Sequence, residues 1–196
     1  MAECRRILDG IASVPFMPEF VPRLGTLPPA QIRLWPELAA LSGDFVLYGG
    51  TALALHLGHR HSVDFDFFGS RAFDVQALET MIPFLKGAKI VQREANTLTA
   101  IVQRGDPVKV SFFGLPGLPR LRPPHVARDN GLQGASLLDL AGTKASVLQV
   151  RAEARDYIDM DALMRLASVG LPTALAAAAR RSVISMAEIC VAFPKR

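Results

Sequence analysis

The chain has 196 residues, with 22 Lys and Arg against 18 Asp and Glu, a net charge of +4 and a pI near 9.4. Half of the residues are hydrophobic and a fifth are charged, a globular composition that excludes intrinsic disorder; at this length a core needs no disulfide or structural metal. Cys4 and Cys190 form no CxxC or Cys/His pattern, which excludes a disulfide framework and a zinc module.

No apolar run reaches the roughly 20 residues of a membrane helix. Asp9, Pro15 and Pro18 interrupt the segment after Arg5 and Arg6, a poor signal peptide. The expectation is a cytoplasmic protein with no membrane contact. Seventeen of the 22 cations are arginine, which suits forked recognition of phosphate, although GC-rich coding produces the same bias. The charge permits a nucleotide or RNA partner without requiring one.

In chain order, prolines at 15, 18, 22, 28 and 29 read as an extended lead-in to a helix from Pro29 toward Leu41, kinked at Pro36 and closed by Ser42-Gly43-Asp44. Phe45 to Tyr48 reads as a short strand ending at Gly49-Gly50, and Thr51 to Leu57 as a compact helix stopped by Gly58. Ser62 to Phe68 alternates as a strand does, with Val63, Phe65 and Phe67 on one face and Asp64 and Asp66 on the other. Asp74 caps a helix through Lys86. Lys89–Arg93, Leu98–Gln103 and Val108–Phe113 read as three strands, the last two joined at Arg104-Gly105-Asp106-Pro107. Four prolines in 114–124 break the chain; Ser136 then caps a helix to about Val150, followed by helices over 156–167 and 172–191. This pattern predicts an α/β (α+β) protein. It has an N-terminal helical lead-in over 1–43, a small mixed-sheet core over 44–124 and a helical C-terminal part over 125–196.

The chemistry centres on Asp64-Phe65-Asp66. Two residues apart on a strand, the carboxylates share a face about 7 Å apart along the chain. Crowded carboxylates repel, and a divalent cation relieves that; magnesium takes one or two carboxylates together with phosphate oxygens and water. The same spacing also describes an ordinary polar strand face. Upstream, Gly49-Gly50-Thr51 lies where a strand passes into a helix, a turn that lets backbone N–H groups approach a phosphate. Thirteen residues separate Thr51 from Asp64, and the combination is far more specific than either part. His56, His59 and His61 precede the pair without a spacing that implies convergence on a metal, whereas Arg60 is placed to reach a phosphate.

The segment LYGGTALALHLGHRHSVDFDFF resembles the nucleotidyltransferase superfamily signature, and more closely the AbiEii/AbiGii-type nucleotidyltransferase toxins. Three later motifs carry the resemblance further: Val108-Lys109-Val110-Ser111-Phe112-Phe113, Asp139-Leu140-Ala141-Gly142-Thr143-Lys144, and Asp156-Tyr157-Ile158-Asp159. Together they cover roughly residues 44–167. The resemblance implies a nucleotidyltransferase fold in which Gly49, Gly50 and Thr51 hold an NTP and Asp64 and Asp66 bind Mg2+. It also implies that Lys144 meets the phosphates and that Asp156 completes the site or orients Lys144. Without it, Lys144 and Asp156 read as a surface ion pair. Asp159 shares a helix face with Asp156 at i, i+3. The implied activity is transfer of NMP from an NTP to a hydroxyl acceptor, by analogy the end of a tRNA, under control of a cognate antitoxin protein. One departure stands out: many active members carry a third carboxylate where this chain has Ser111, which favours a single magnesium. Ser111 also keeps open a catalytically silent nucleotide-binding or protein-interaction module. A glycosyltransferase shares Asp-x-Asp but fits neither the nearby glycine turn nor so short a chain.

Overall fold

The computed structural model describes residues 17–181 apart from 42, 44 and 152. Cys4, Cys190, Ser42, Asp44 and the stretch 182–191 of the last expected helix lie outside the described residues.

A two-residue strand, β1 (Glu19–Phe20), opens the described chain. Helix α1 (Pro29–Leu34) carries Pro29 at its first position, where a missing N–H costs nothing. The expected kink at Pro36 is a change of helix type: the chain continues as a 3-10 helix, Trp35–Leu41, because proline can neither donate the next helical bond nor clear the preceding turn. Strand β2 (Phe45–Tyr48) is buried along its length. Helix α2 (Gly49–Leu57) starts two residues earlier than expected, so both glycines lie in its first turn; Gly58, with φ +70, ends it. Strand β3 (Asp64–Gly69) follows.

Helix α3 (Val75–Met81) is capped as expected, the Asp74 carboxylate accepting the Ala77 N–H at 2.7 Å. It stops five residues short of Lys86, because Pro83 disfavours helical geometry in the residue before it and starts a separate 3-10 turn, Pro83–Leu85. Strands β4 (Lys89–Glu94), β5 (Thr97–Arg104) and β6 (Asp106–Gly114) match the expected three within two residues at either end, with Gly105 (φ +88) at the β5–β6 turn. Two very short strands come next, β7 (His125–Ala127) and β8 (Gln133–Gly134). Helices α4 (Leu137–Val150), α5 (Ala154–Leu166) and α6 (Leu171–Arg181) complete the described chain.

All eight strands form one mixed sheet in the order β1-β7-β8-β2-β3-β6-β5-β4. The pairs β1–β7, β2–β8 and β3–β6 are parallel and the others antiparallel. The part expected to be helical from residue 125 therefore begins with two strands, and its helices start at Leu137. The lead-in is likewise built into the core: β1 pairs with β7, and Leu34, Leu38 and Leu41 are buried. Strands of two or three residues carry no alternation long enough to read.

One face of the sheet is apolar. Phe65 and Phe67 are fully buried there, Phe67 stacks on Phe112 at 5.5 Å, and Trp35 covers Phe65 at 6.5 Å. Alternation then leaves Asp64 and Asp66 on the other face, toward which α2 carries its N-terminus. Buried Asp139 ties the proline-rich connection to this frame: its carboxylate accepts the Leu121 and Arg122 N–H groups at 3.0 and 3.1 Å and the Ser136 hydroxyl at 2.6 Å. Removing a buried acceptor that serves three donors strands all three. Asp139→Ala is expected to lower unfolding stability by about 3 kcal/mol, with Asp139→Asn milder, as read from urea unfolding; equal stability of all three proteins would contradict this role.

Candidate functional site

Parallel pairing of β3 with β6 sets Asp64 opposite Lys109 and Asp66 opposite Ser111. Opposed residues share a face, so Asp64, Asp66, Lys109 and Ser111 form a polar square across two strands. Ser111 is buried and its hydroxyl hydrogen-bonds Asp66, so it faces the carboxylate pair from the third-carboxylate position. Burial pushes the Asp66 carboxyl up to about 6, against the opposing pull of Lys109, the Ser111 hydroxyl, Lys144 and Arg151. Lys144 from α4 and Arg151, the residue that caps its C-terminus, thus reach Asp66 electrostatically. A narrow cavity lined by Gly49, Leu140, Thr143, Lys144, Val147 and Arg151 joins the start of α2 to α4.

The Lys144–Asp156 pair is buried, not a surface pair: Nζ to Oδ1 is 2.8 Å, with the Asp156 side chain wholly inaccessible. Lys144 also meets Asp159 at 2.6 Å, and Arg151 approaches the second Asp156 oxygen at 3.5 Å. Arg60 grips Asp159 with two parallel bonds, Nε at 2.6 Å and Nη2 at 2.8 Å, and His59 Nε2 donates to Asp159 at 2.7 Å. That partner requires the His59 proton on Nε2; Nδ1 is buried without a hydrogen-bond partner. Burial alone would raise Asp159, but His59, Arg60 and Lys144 hold it well below the usual carboxylate range.

The structure therefore brings Asp64, Asp66, Lys144, Asp156, Arg60, Gly49 and Gly50 into one region. Thr51 is there too, but its hydroxyl is already engaged. It contacts the Asp64 carbonyl, which can only accept, and the Ser62 hydroxyl at 2.8 Å, so Thr51 donates to Asp64 and accepts from Ser62. Buried in this way, its side chain anchors the start of β3. Lys109, Arg151, His59 and Asp159 join the cluster without having been assigned a role from sequence. Lys109 was readable as the i−2 neighbour of Ser111 and Arg151 as the residue after the helix that carries Lys144. No sequence signal pairs His59 with a residue one hundred positions later.

Among the described residues no group of three or more His, Cys, Asp or Glu is arranged to hold a metal. The two carboxylates nonetheless suit Mg2+: they are half-buried hard oxygen donors on one face, and loss of water around Asp66 outweighs the pull of its cationic neighbours.

Comparison with known proteins bears on the same elements. A family model described as "Nucleotidyl transferase AbiEii toxin, Type IV TA system" matches residues 33–188. The chain belongs to this family. A protein of Aquifex aeolicus with no described function is 35% identical over 127 residues, 64% of this chain and 60% of its own length, so this chain spans about three fifths of that relative. A crystal structure from H. pylori, titled only provisionally as a nucleotidyltransferase, superposes with a TM-score of 0.52 at 19% identity over 69% of this chain and 67% of its own, which supports the fold.

The two shifted carboxyls act oppositely on stability. Asp66 titrates near 6 when folded and near 3.8 when unfolded, so stability falls as pH rises through that window and the penalty is complete above it. Asp159 contributes stability that is present above the usual carboxylate pKa and is lost on acidification below it. In metal-free protein, Asp66→Asn is expected to be more stable than the parent at pH 7 by about 1–3 kcal/mol, with the difference vanishing below pH 3.8. Denaturant unfolding across pH reads it; a variant weaker than the parent at neutral pH would contradict the assignment.

Proposed function

We propose that this chain is a cytoplasmic, magnesium-dependent nucleotidyltransferase that moves NMP from an NTP onto a hydroxyl at an RNA end, with tRNA as the acceptor class. In this reading it is the toxin half of a toxin–antitoxin pair, restrained by a cognate antitoxin protein. One observation carries it: two carboxylates at i, i+2 lie beside a glycine-opened helix N-terminus and a set of buried-in cations, in a member of the AbiEii family.

Asp64 and Asp66 would hold the magnesium, which when bound supplies charge stabilisation to the phosphoryl oxygens. The first turn of α2 offers backbone N–H groups and the positive end of its dipole to the triphosphate. Arg60 and Lys144 lie on the same side, and Lys144 is oriented by Asp156 and Asp159 together. The acceptor hydroxyl oxygen forms a bond to the α-phosphorus as the α–β bridging bond breaks; pyrophosphate leaves with that electron pair and the hydroxyl proton passes to solvent water. Such transfer needs little covalent chemistry from the protein, so positioning and charge carry the rate.

Ser111 favours one alternative, a nucleotide-binding module without turnover, because a hydroxyl already bonded to Asp66 adds neither a metal ligand of carboxylate strength nor an unaided base. Incubation with each labelled NTP, magnesium and total cellular RNA separates the two. Labelled RNA that disappears with Asp64→Ala and with Asp66→Ala, each by at least about a hundredfold, is the expected result. Magnesium-dependent NTP binding with no labelled product selects the silent module, and label transfer that survives both substitutions overturns the metal assignment. On the transferase reading, Ser111→Asp changes both transfer and magnesium-linked stability, since the residue faces the pair.

A further inference from the structure

The two glycines that open α2 are not equivalent. Gly49 has φ +73, a left-handed conformation that L side chains rarely adopt, whereas Gly50 is not among the residues with positive φ. The backbone does not demand glycine at position 50. Arg60 does: a Cβ built on Gly50 would overlap Nη2 of the guanidinium and lie 3.2 Å from its Cζ.

An exposed arginine would swing aside. Arg60 is held, because its Nε and Nη2 both donate to Asp159, whose side chain is wholly inaccessible, and Nη1 donates to the His61 carbonyl at 2.9 Å. Asp159 in turn has no spare capacity. Oδ1 accepts from His59 and Arg60, Oδ2 from Arg60 and Lys144, which fills the four lone-pair directions of a carboxylate. Three of the five guanidinium N–H groups are thereby used and two remain, and the Nη2 end of the fork lies over Gly50 in the first turn of α2.

We infer that Asp159 and His59 are positioning residues that lock Arg60 over Gly50, so that its two remaining N–H groups are presented to the triphosphate of the nucleotide. Gly50 is glycine in order to seat this arginine. The inference rests on the function proposed above and identifies which side chains set nucleotide affinity within it.

The test is a set of cycles on the full chain, reading equilibrium affinity for Mg–ATP and Mg–GTP and thermal unfolding on each protein. Arg60→Gln, Gly50→Ala and Asp159→Asn are each expected to weaken nucleotide binding about tenfold, the loss of one charge-assisted contact. In the Arg60→Gln background, Gly50→Ala and Asp159→Asn are expected to add less than about twofold, because the group they position is gone. His59→Gln, whose amide N–H can replace the Nε2 donor, is expected to weaken binding less than His59→Ala. A merely structural role for Asp159 would lower thermal stability equally in both backgrounds without this loss of coupling in affinity. Independent, additive effects of Gly50→Ala and Arg60→Gln overturn the inference. So does parent-like affinity in Gly50→Ala. If Asp159→Asn fails to fold, the Gly50–Arg60 cycle and the His59 pair decide the matter alone. A parent chain that binds neither nucleotide overturns the proposed function itself, an outcome distinct from binding with additive effects.

Discussion

The Asp159 carboxylate holds the functional half of the molecule together. It is buried and receives four donors from two segments besides its own helix: His59 and Arg60 from the loop after α2, and Lys144 from α4. Buried charges are costly unless nearly every lone pair and proton is matched, and removing one member of such a set typically costs about 3–5 kcal/mol. Here the matching is complete at Asp159 and extended at Asp156, which shares Lys144 and is approached by Arg151. α5 is therefore not simply packed against the sheet domain; it is bonded to it through charge. The loop between α2 and β3 is held from the other side as well, by the Gln31 amide donating to the Val63 carbonyl at 2.6 Å and by the Ser62 N–H on the Thr26 carbonyl at 3.2 Å.

This arrangement sets charges of both signs side by side. Arg60, Lys144 and Arg151 are set against Asp156, Asp159 and Glu153, and the cations lie on the side of Asp64 and Asp66, with Lys109 adding another from the sheet side. The aspartates receive that field from both flanks, yet Asp66 is still held up near 6 by loss of water. A site that sets an under-compensated carboxylate beside several cations is complementary to a ligand that brings both a divalent ion and polyphosphate. Either component alone meets repulsion from one half of the site. On the function proposed above, that mixed field would favour the combined ligand over either component alone.

Sequence legibility followed periodicity. The alternation around Asp64 and Asp66 put Phe65 and Phe67 in the core, because a strand has only two faces to choose from, whereas Ser111 was placed opposite the aspartates only by the family resemblance, which the register of β3 with β6 matches. Local chemistry was equally readable at Ser136 and Asp74, whose side chains cap their helices through bonds three residues long. What sequence could not carry was contact across distance. β1, β7 and β8 are too short for a pattern and exist because neighbours present unpaired backbone to them. Thr51 sits in a motif that suggests phosphate, but a fold contact with Asp64 takes its hydroxyl. Gly50 reads as a backbone requirement until Arg60, ten residues away, is seen occupying the missing side chain's place.

The pairing of β1 with β7 has a kinetic side. Glu19 lies opposite Val126, Trp35 donates its indole N–H to Asp129 at 2.8 Å, and Arg128 meets Glu19 at 3.2 Å, so three links join the start of the described chain to the turn after β7. Each closes a loop of more than ninety residues, whereas the β5–β6 pair is joined through Gly105 alone. Loop-closure entropy rises with length and must be met before the contacts that reward it exist. The central strands β3 to β6 can thus assemble from nearer partners, while the β1–β7 edge waits for both halves of the chain to be made. During synthesis β1 stays without its strand partner until residue 127 has emerged, while other parts of the lead-in find their partners on β5 and the loop after α2 earlier.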